Sequence, residues 1–306
     1  MTPYERKAFH MRVSTKKLLK EAQSGGYAVG AFNVYTLEGV RAVTSAAERL
    51  KSPVMLQMLP RALELGGPPL IALCLEACRC AAVPMSVHLD HCSSEEIMAM
   101  ALEAGMSSVM ADGSHLAYED NVAFTGRIAK TSHEQGRAVE AELGRLSGTE
   151  DGLTVAAYEA RLTDSGQAVD FVNRTAVDAL AVCIGNVHGR CNTPPELDFD
   201  RLAALHDRLS IPLVLHDTSG LPDDMIVQAI AGGVCKFNVN TELREAGLQA
   251  ADGYFKTSPR RELVDLMTAV IEPCRPPLWK KSGFSGQADG PDSIFRKSDL
   301  EPSHDG

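Results

Sequence analysis

Eight short apolar runs recur along the chain, with segments of helical pattern between them. They read YAVGAFN (27–33), PVMLQM (53–58), PMSVHLD (84–90), SSVMAD (107–112), RAVEAEL (137–143), DALAVCIG (178–185), IPLVLH (211–216) and GVCKFNV (233–239). The runs are nearly continuous in apolar character, not alternating, as strands covered by helices should be. The intervening stretches include TLEGVRAVTSAAERL, SSEEIMAMALEAG, AYEDNVAFTGRIAKTSHEQG and DDMIVQAIAGG; several open near Ser or Asp and close on Gly. Those are cap signals. Eight β–α units in 306 residues predict one α/β domain, a (β/α)8 TIM barrel. A doubly wound open sheet is the alternative, but its glycine-rich dinucleotide turn is missing after the first run. The barrel is expected over 13–280, with an N-terminal extension at 1–12. Residues 281–306, rich in Gly, Ser, Pro and charge, read as a flexible tail.

Composition excludes two classes of partner. A net charge of −10 argues against a nucleic-acid binder, which needs a basic surface for phosphates. Nothing points to a membrane, since no apolar run approaches the roughly 20 residues that a spanning helix requires. The opening residues lack the apolar core of a secretory signal. The eight cysteines are scattered and several lie in strand-like runs, so they read as reduced core thiols of a cytoplasmic protein.

A barrel of this kind carries its chemistry at the C-terminal ends of its strands. The runs meet that demand. The first ends in Asn33, the third in Asp90 and His91, the fourth in Asp112 and the fifth in Glu142. The sixth leads into GNVHG with His188, the seventh ends in His216 and Asp217, and the eighth in NVNTE with Asn238, Asn240 and Thr241. His91, His188 and His216 are three imidazoles from three sectors of one rim. Three neutral histidines with an open position is the arrangement of a catalytic zinc; hydrogen-bonded rim residues are the other reading. Asp112 and Glu142 could add metal charge or orient the histidines. Asp90 is the best-placed general acid or base. Glu150 lies in GRLSGTEDGLT, a polar, glycine-bearing loop of the type that closes over substrates, or else is a solvated loop charge. NVNTE opens a helix, so its amides could receive an anion or simply be capped. Lys236, Arg190 and Arg61 are the candidate phosphate cations. His88 and His115 read as structural.

The chain resembles the class II, zinc-dependent fructose-bisphosphate aldolases, within them the ketose- and tagatose-bisphosphate aldolase branch. The matching stretches run in order: GAFNVY, HLDHC, VMADGSH, VEAELGRLSGTEDGLT, AVCIGNVHG, LVLH and KFNVNTE. The resemblance implies reversible cleavage of a phosphorylated ketose to a triose phosphate (glycerone phosphate) and an aldehyde, by a homodimer or homotetramer. It implies zinc on His91, His188 and His216, and a second divalent ion at Asp112 and Glu142 in some members. Asp90 would be the acid/base at the C4 oxygen and Glu150 a proton-transfer group at C3. Asn33, Gly189, Ser219, Asn238, Asn240 and Thr241 would bind substrate and phosphate, with a monovalent cation nearby in many members.

Two stretches depart from the family. HDTSG stands where it usually has HG[GA]SG, so Asp217 adds a charge beside the expected phosphate. QMLPRALELGG replaces a small Ser/Gly-rich turn. The first departure keeps two alternatives open: a different sugar or sugar-acid phosphate as substrate, or a metal-binding paralogue without turnover.

Overall fold

Eight parallel strands close on themselves. In the computed structural model the barrel order is β1 (Val29–Asn33), β11 (Val234–Val239), β10 (Leu213–Leu215), β8 (Ala179–Val182), β5 (Ala138–Leu143), β4 (Ser108–Ala111), β3 (Met85–Cys92) and β2 (Val54–Met58), which returns to β1. Residues 11–144, 147–150, 153–155, 162–188, 196–259 and 262–272 are described, with the backbone alone at 147–150, 153–155 and 187–188. All eight expected runs are barrel strands. The extension expected before residue 13 falls outside the described residues except for Met11 and Arg12, the latter bridging to Met85. The expected tail at 281–306 lies wholly outside them.

The helices form where caps and spacing direct them. Thr36 accepts from Gly39 N at the start of α2 (Leu37–Leu50), and Ser94 from Ile97 N at α4 (Glu95–Glu103). Asp164 does the same for α6 (Ser165–Thr175) and Asp198 for α7 (Phe199–Arg208). Such a cap contributes roughly 1 kcal/mol. Their buried faces pack on the outside of the barrel, joining Val43, Ile71, Phe171 and Leu202 to strand residues such as Leu56, Leu89 and Leu180 in one core.

A second, smaller core fills one end of the barrel. Leu18, Leu19 and Ala22 of α1 (Thr15–Gly25) pack on Val29, Ala31, Met55, Ala179, Ala181 and Val214. These inward residues are mostly small, which leaves room for the helix to seal the barrel. On three other strands the inward positions are polar. His88, Glu140 and Lys236 of β3, β5 and β11 come first, then, two residues along, Asp90, Glu142 and Asn238, all buried. The barrel therefore has an apolar floor beneath a charged interior.

Where a polar loop was expected after β5, the chain forms a short antiparallel hairpin of β6 (Ser147–Glu150) and β7 (Leu153–Val155). Strand β6 also pairs with β9 (Val187–His188), with Gly148 opposite His188. The backbone carrying Glu150 is thus tied to the backbone carrying His188.

Candidate metal centre

Strand β3 runs two residues past its expected end, and its last turn decides where His91 goes. His91 has φ +40°, outside the range that side chains prefer, and the pairing with β4 shifts register between Leu89 and Cys92. The irregularity turns consecutive residues Asp90 and His91 toward one centre, which a regular strand would send to opposite faces. His91 Nδ1 lies 2.8 Å from Asp112 Oδ2 and 3.9 Å from Glu142 Oε2. His216, from the end of β10, brings Nδ1 to 3.6 Å from the same Glu142 oxygen. The two imidazoles meet edge to face, their centroids 4.6 Å apart.

Two overlapping donor sets result. Ligand-capable atoms of Asp90, His91 and His216 lie within 4.8 Å of one another, as do those of His91, Asp112 and Glu142. Imidazole nitrogens and carboxylate oxygens at this spacing suit a divalent ion such as zinc. The electrostatics point the same way. Burial opposes a charge on His91, yet Asp90, Asp112 and Glu142 hold its pKa well above 6.5. Burial also opposes ionisation of Asp112, but its hydrogen bond to His91 and that charge hold it well below the carboxylate range. Three carboxylates converge on a buried point, and a cation is the group that relieves them. The residues fit a metal ion.

Asp90 belongs to the first donor set, but its oxygens are held by amides. Asn238 Nδ2 donates to Oδ1 at 3.0 Å, while Asn33 Nδ2 and Gln57 Nε2 donate to Oδ2 at 3.0 and 3.1 Å. Gln57 Nε2 also donates to Asn33 Oδ1 at 2.8 Å. Strands β11, β1 and β2 thereby fix a carboxylate that β3 supplies.

On the next rim sector, Ser219, Asn240 and Thr241 are buried near the start of α9 (Thr241–Thr257). Tyr35 donates to Asn240 Oδ1 at 2.8 Å, and Gly220 N donates to Glu242 Oε1 at 2.7 Å. Asp217 is buried between His216 and this sector with φ +52°, a conformation in which glycine is at ease.

The structure thus brings Asn33, Asp90, His91, Asp112, Glu142, His216 and Asn238 together. Glu150 and His188 are described by backbone alone, and Gly189 lies outside the described residues.

Lys236 is not a rim cation for phosphate. It is fully buried inside the barrel, with Nζ 3.0 and 2.8 Å from the two oxygens of Glu140. Arg190 lies outside the described residues, and Arg61 is exposed on α3 (Pro60–Cys80). His88 is structural, as expected: its Nδ1 pairs with Ser108 Oγ at 2.8 Å, and burial and the Lys236 ammonium push its pKa down to about 3. Sequence reasoning missed Gln57, Glu140 and Tyr35. Period-two spacing from Glu142 and Asn238 would have pointed inward to Glu140 and Lys236, but not to their pairing.

The class-II fructose-bisphosphate aldolase model matches residues 13–277. The chain belongs to the class II fructose-bisphosphate aldolase family. It is 42% identical over 248 residues to the D-tagatose-1,6-bisphosphate aldolase subunit GatY of Klebsiella oxytoca, covering 81% of this chain and 87% of that protein. Its fold superposes on the YdjI aldolase of Escherichia coli K12 with a TM-score of 0.80 at 32% identity, over 90% of this chain and 97% of that one. The fructose-bisphosphate aldolase of Campylobacter jejuni, at 20% identity and a TM-score of 0.70 over 88% and 93% of the two chains, shares the fold. As a class II aldolase the chain is a carbon–carbon lyase.

Proposed function

We propose that this aldolase reversibly cleaves a ketose bisphosphate of the fructose- or tagatose-1,6-bisphosphate type into glycerone phosphate and an aldehyde, with zinc at the centre formed by His91, His188 and His216. One observation carries the reading: a buried carboxylate, Asp90, held by three amides with one oxygen within 4.8 Å of a donor atom of His91 and one of His216. The 42% identity to a tagatose-bisphosphate aldolase subunit supports the substrate class.

Bound there, zinc supplies Lewis acidity to the ketose C2 carbonyl. Asp90 takes the proton of the C4 hydroxyl as the C3–C4 bond breaks, its electron pair passing to C3, and returns that proton on condensation. Glu150 delivers the proton that C3 then needs. Asn33, Gln57 and Asn238 keep Asp90 oriented, so little reorganisation accompanies the transfer. Asp112 holds His91, and Asp112 and Glu142 offer a second divalent position. Gly189, Ser219, Asn240 and Thr241, with Asn33 and Asn238, bind substrate and its phosphate at the start of α9, where helix amides favour anions and a monovalent cation assists.

The catalytic unit spans 13–280 and works as a homodimer or homotetramer. Leu263, Val264 and Met267 of α10 (Leu263–Ile271), with Leu248 and Phe255 of α9, supply exposed apolar surface that supports a contact between copies. A cytoplasmic location fits the six described cysteines, all free thiols. Among the described residues no helix is long and apolar enough to cross a membrane.

The test is triose-phosphate release from fructose 1,6-bisphosphate, tagatose 1,6-bisphosphate and fructose 1-phosphate. Turnover of at least one is expected, abolished by chelator and restored by zinc. Turnover that survives full metal removal would defeat the proposal. The reading with a different sugar or sugar-acid phosphate rests on buried Asp217, and silence on all three ketoses with zinc bound would favour it.

A further inference from the structure

Glu140 stands one inward step below Glu142 on β5 and touches three buried side chains. Its Oε1 accepts from His216 Nε2 at 2.9 Å, and both oxygens accept from Lys236 Nζ, at 3.0 and 2.8 Å. His88 Nε2 lies 3.8 Å from Oε2. All four side chains are essentially inaccessible to water.

Stability does not explain the pair. A buried ion pair is commonly no better than two packed apolar side chains, because desolvating both charges cancels most of their attraction. The barrel already has an apolar floor at Ala31, Met55 and Val214, so continuing it upward would have served the fold. The pair instead has a directional consequence. A carboxylate held by an ammonium on both oxygens can only accept, so the imidazole must donate Nε2–H. The lone pair of His216 then sits on Nδ1, the nitrogen facing Glu142 Oε2 at 3.6 Å.

We propose that Glu140, held by Lys236, is a positioning residue that fixes the tautomer and ring orientation of His216 so that Nδ1 faces the metal centre. The inference rests on the metal reading above and adds the residues that prepare one ligand before any ion arrives. A rim histidine without such an anchor would sample both tautomers and several ring angles, and outer-sphere partners of this type tune metal affinity roughly 10- to 100-fold.

The experiment compares wild type with two double variants. Glu140→Leu/Lys236→Met removes the acceptor and both charges at similar volume. Glu140→Gln/Lys236→Met removes both charges but keeps an amide oxygen for His216. Thermal melting establishes folding. Zn2+ affinity by chelator competition and the Co2+ absorption bands are the readouts, independent of turnover. Wild type is expected to bind both ions. The Leu/Met variant should bind Zn2+ roughly 10- to 100-fold more weakly with altered Co2+ bands, and the Gln/Met variant should recover most of that loss.

Histidine 15N shifts of the metal-free wild type should give Nε2–H for His216, its signals identified by their loss in His216→Asn. A folded Leu/Met variant with unchanged affinity and bands, or an Nδ1–H tautomer in wild type, would overturn the proposal. If the Leu/Met variant does not fold, the tautomer decides. Wild type that binds neither ion is a different result: it removes the metal reading itself, and the inference with it.

Discussion

Asn238 donates from Nδ2 to Asp90 Oδ1 at 3.0 Å, joining the last strand of the barrel to the third across 148 positions of sequence. Asn33 and Gln57 complete the grip on the other oxygen, so the carboxylate is oriented by three strands that contribute no charge to it. A group held this way is suited to proton transfer, and its removal should be felt in the chemical step. Asp90→Asn is expected to lower kcat by about 10²- to 10⁴-fold, while Zn2+ content stays at the wild-type level. Measured kcat within a few-fold of wild type would remove Asp90 from the proton-transfer role.

A prediction at the opposite end of the barrel concerns stability alone. Asp178 precedes β8 and accepts from Lys16 Nζ at 2.7 Å, His133 Nε2 at 2.8 Å and Val139 N at 2.9 Å. Burial raises its pKa, but these three partners outweigh burial and hold it below 3.8. The folded value is depressed, so the contribution is present in full above the ordinary value and lost as pH falls through the lower folded value. Lys16 is half exposed, which weakens its share. Asp178→Asn should cost about 1–2 kcal/mol at pH 7. Urea denaturation at pH 7 and pH 3 checks it: the gap to wild type should narrow at the lower pH, and a gap independent of pH would refute the linkage.

The barrel was legible because its strands are buried on both faces, which leaves apolar runs that no half-exposed strand would show. The rim was legible for a related reason: Asn33, Asp90, Glu142 and His216 interrupt those runs at the same end each time. What escaped depends on contacts between distant positions. Lys236 in GVCKFNV looks like a rim cation until Glu140, 96 residues earlier, is seen opposite it. Gln57 lies within an apolar run and has significance only through Asn33 and Asp90. The turn at His91 is a backbone event, φ +40°, that a non-glycine residue does not advertise. Strand β6 of the hairpin, SGTE, is drawn mainly from Ser, Gly and Thr, of which Gly and Ser favour turns, and its pairing to β9 is again long-range.

The ion pair itself makes a separate prediction. Lys236→Met leaves Glu140 buried beside His88 and His216 without its ammonium. Removing one partner of a buried pair is far more damaging than replacing both, and about 3–5 kcal/mol is expected. The double variant Glu140→Leu/Lys236→Met should recover most of it. Equilibrium denaturation of the single and double variants measures the difference; equal losses in both would mean that volume, not charge, is what the site requires.

Asp217 offers a test in which stability and substrate binding move together. A side chain at φ +52° costs roughly 1–2 kcal/mol in the left-handed region. Glycine relieves that, while the freedom it adds to the unfolded chain takes back roughly 0.5–1 kcal/mol. Asp217→Gly is therefore expected to stabilise the protein by about 0.5–1 kcal/mol. The same change removes a negative charge next to the sector of Ser219, Asn240 and Thr241, where the substrate phosphate is proposed to bind. Relief of one charge repulsion at partly screened distance is worth about 1–2 kcal/mol, so KM for a phosphorylated ketose should fall by roughly tenfold. Denaturation midpoints and KM, measured on the same zinc-loaded preparations, separate the two effects. A stabilised variant with unchanged KM would mean that the Asp217 carboxylate does not face the phosphate. A variant that gains turnover on a ketose the wild type ignores would make Asp217 the residue that sets which sugar this aldolase accepts.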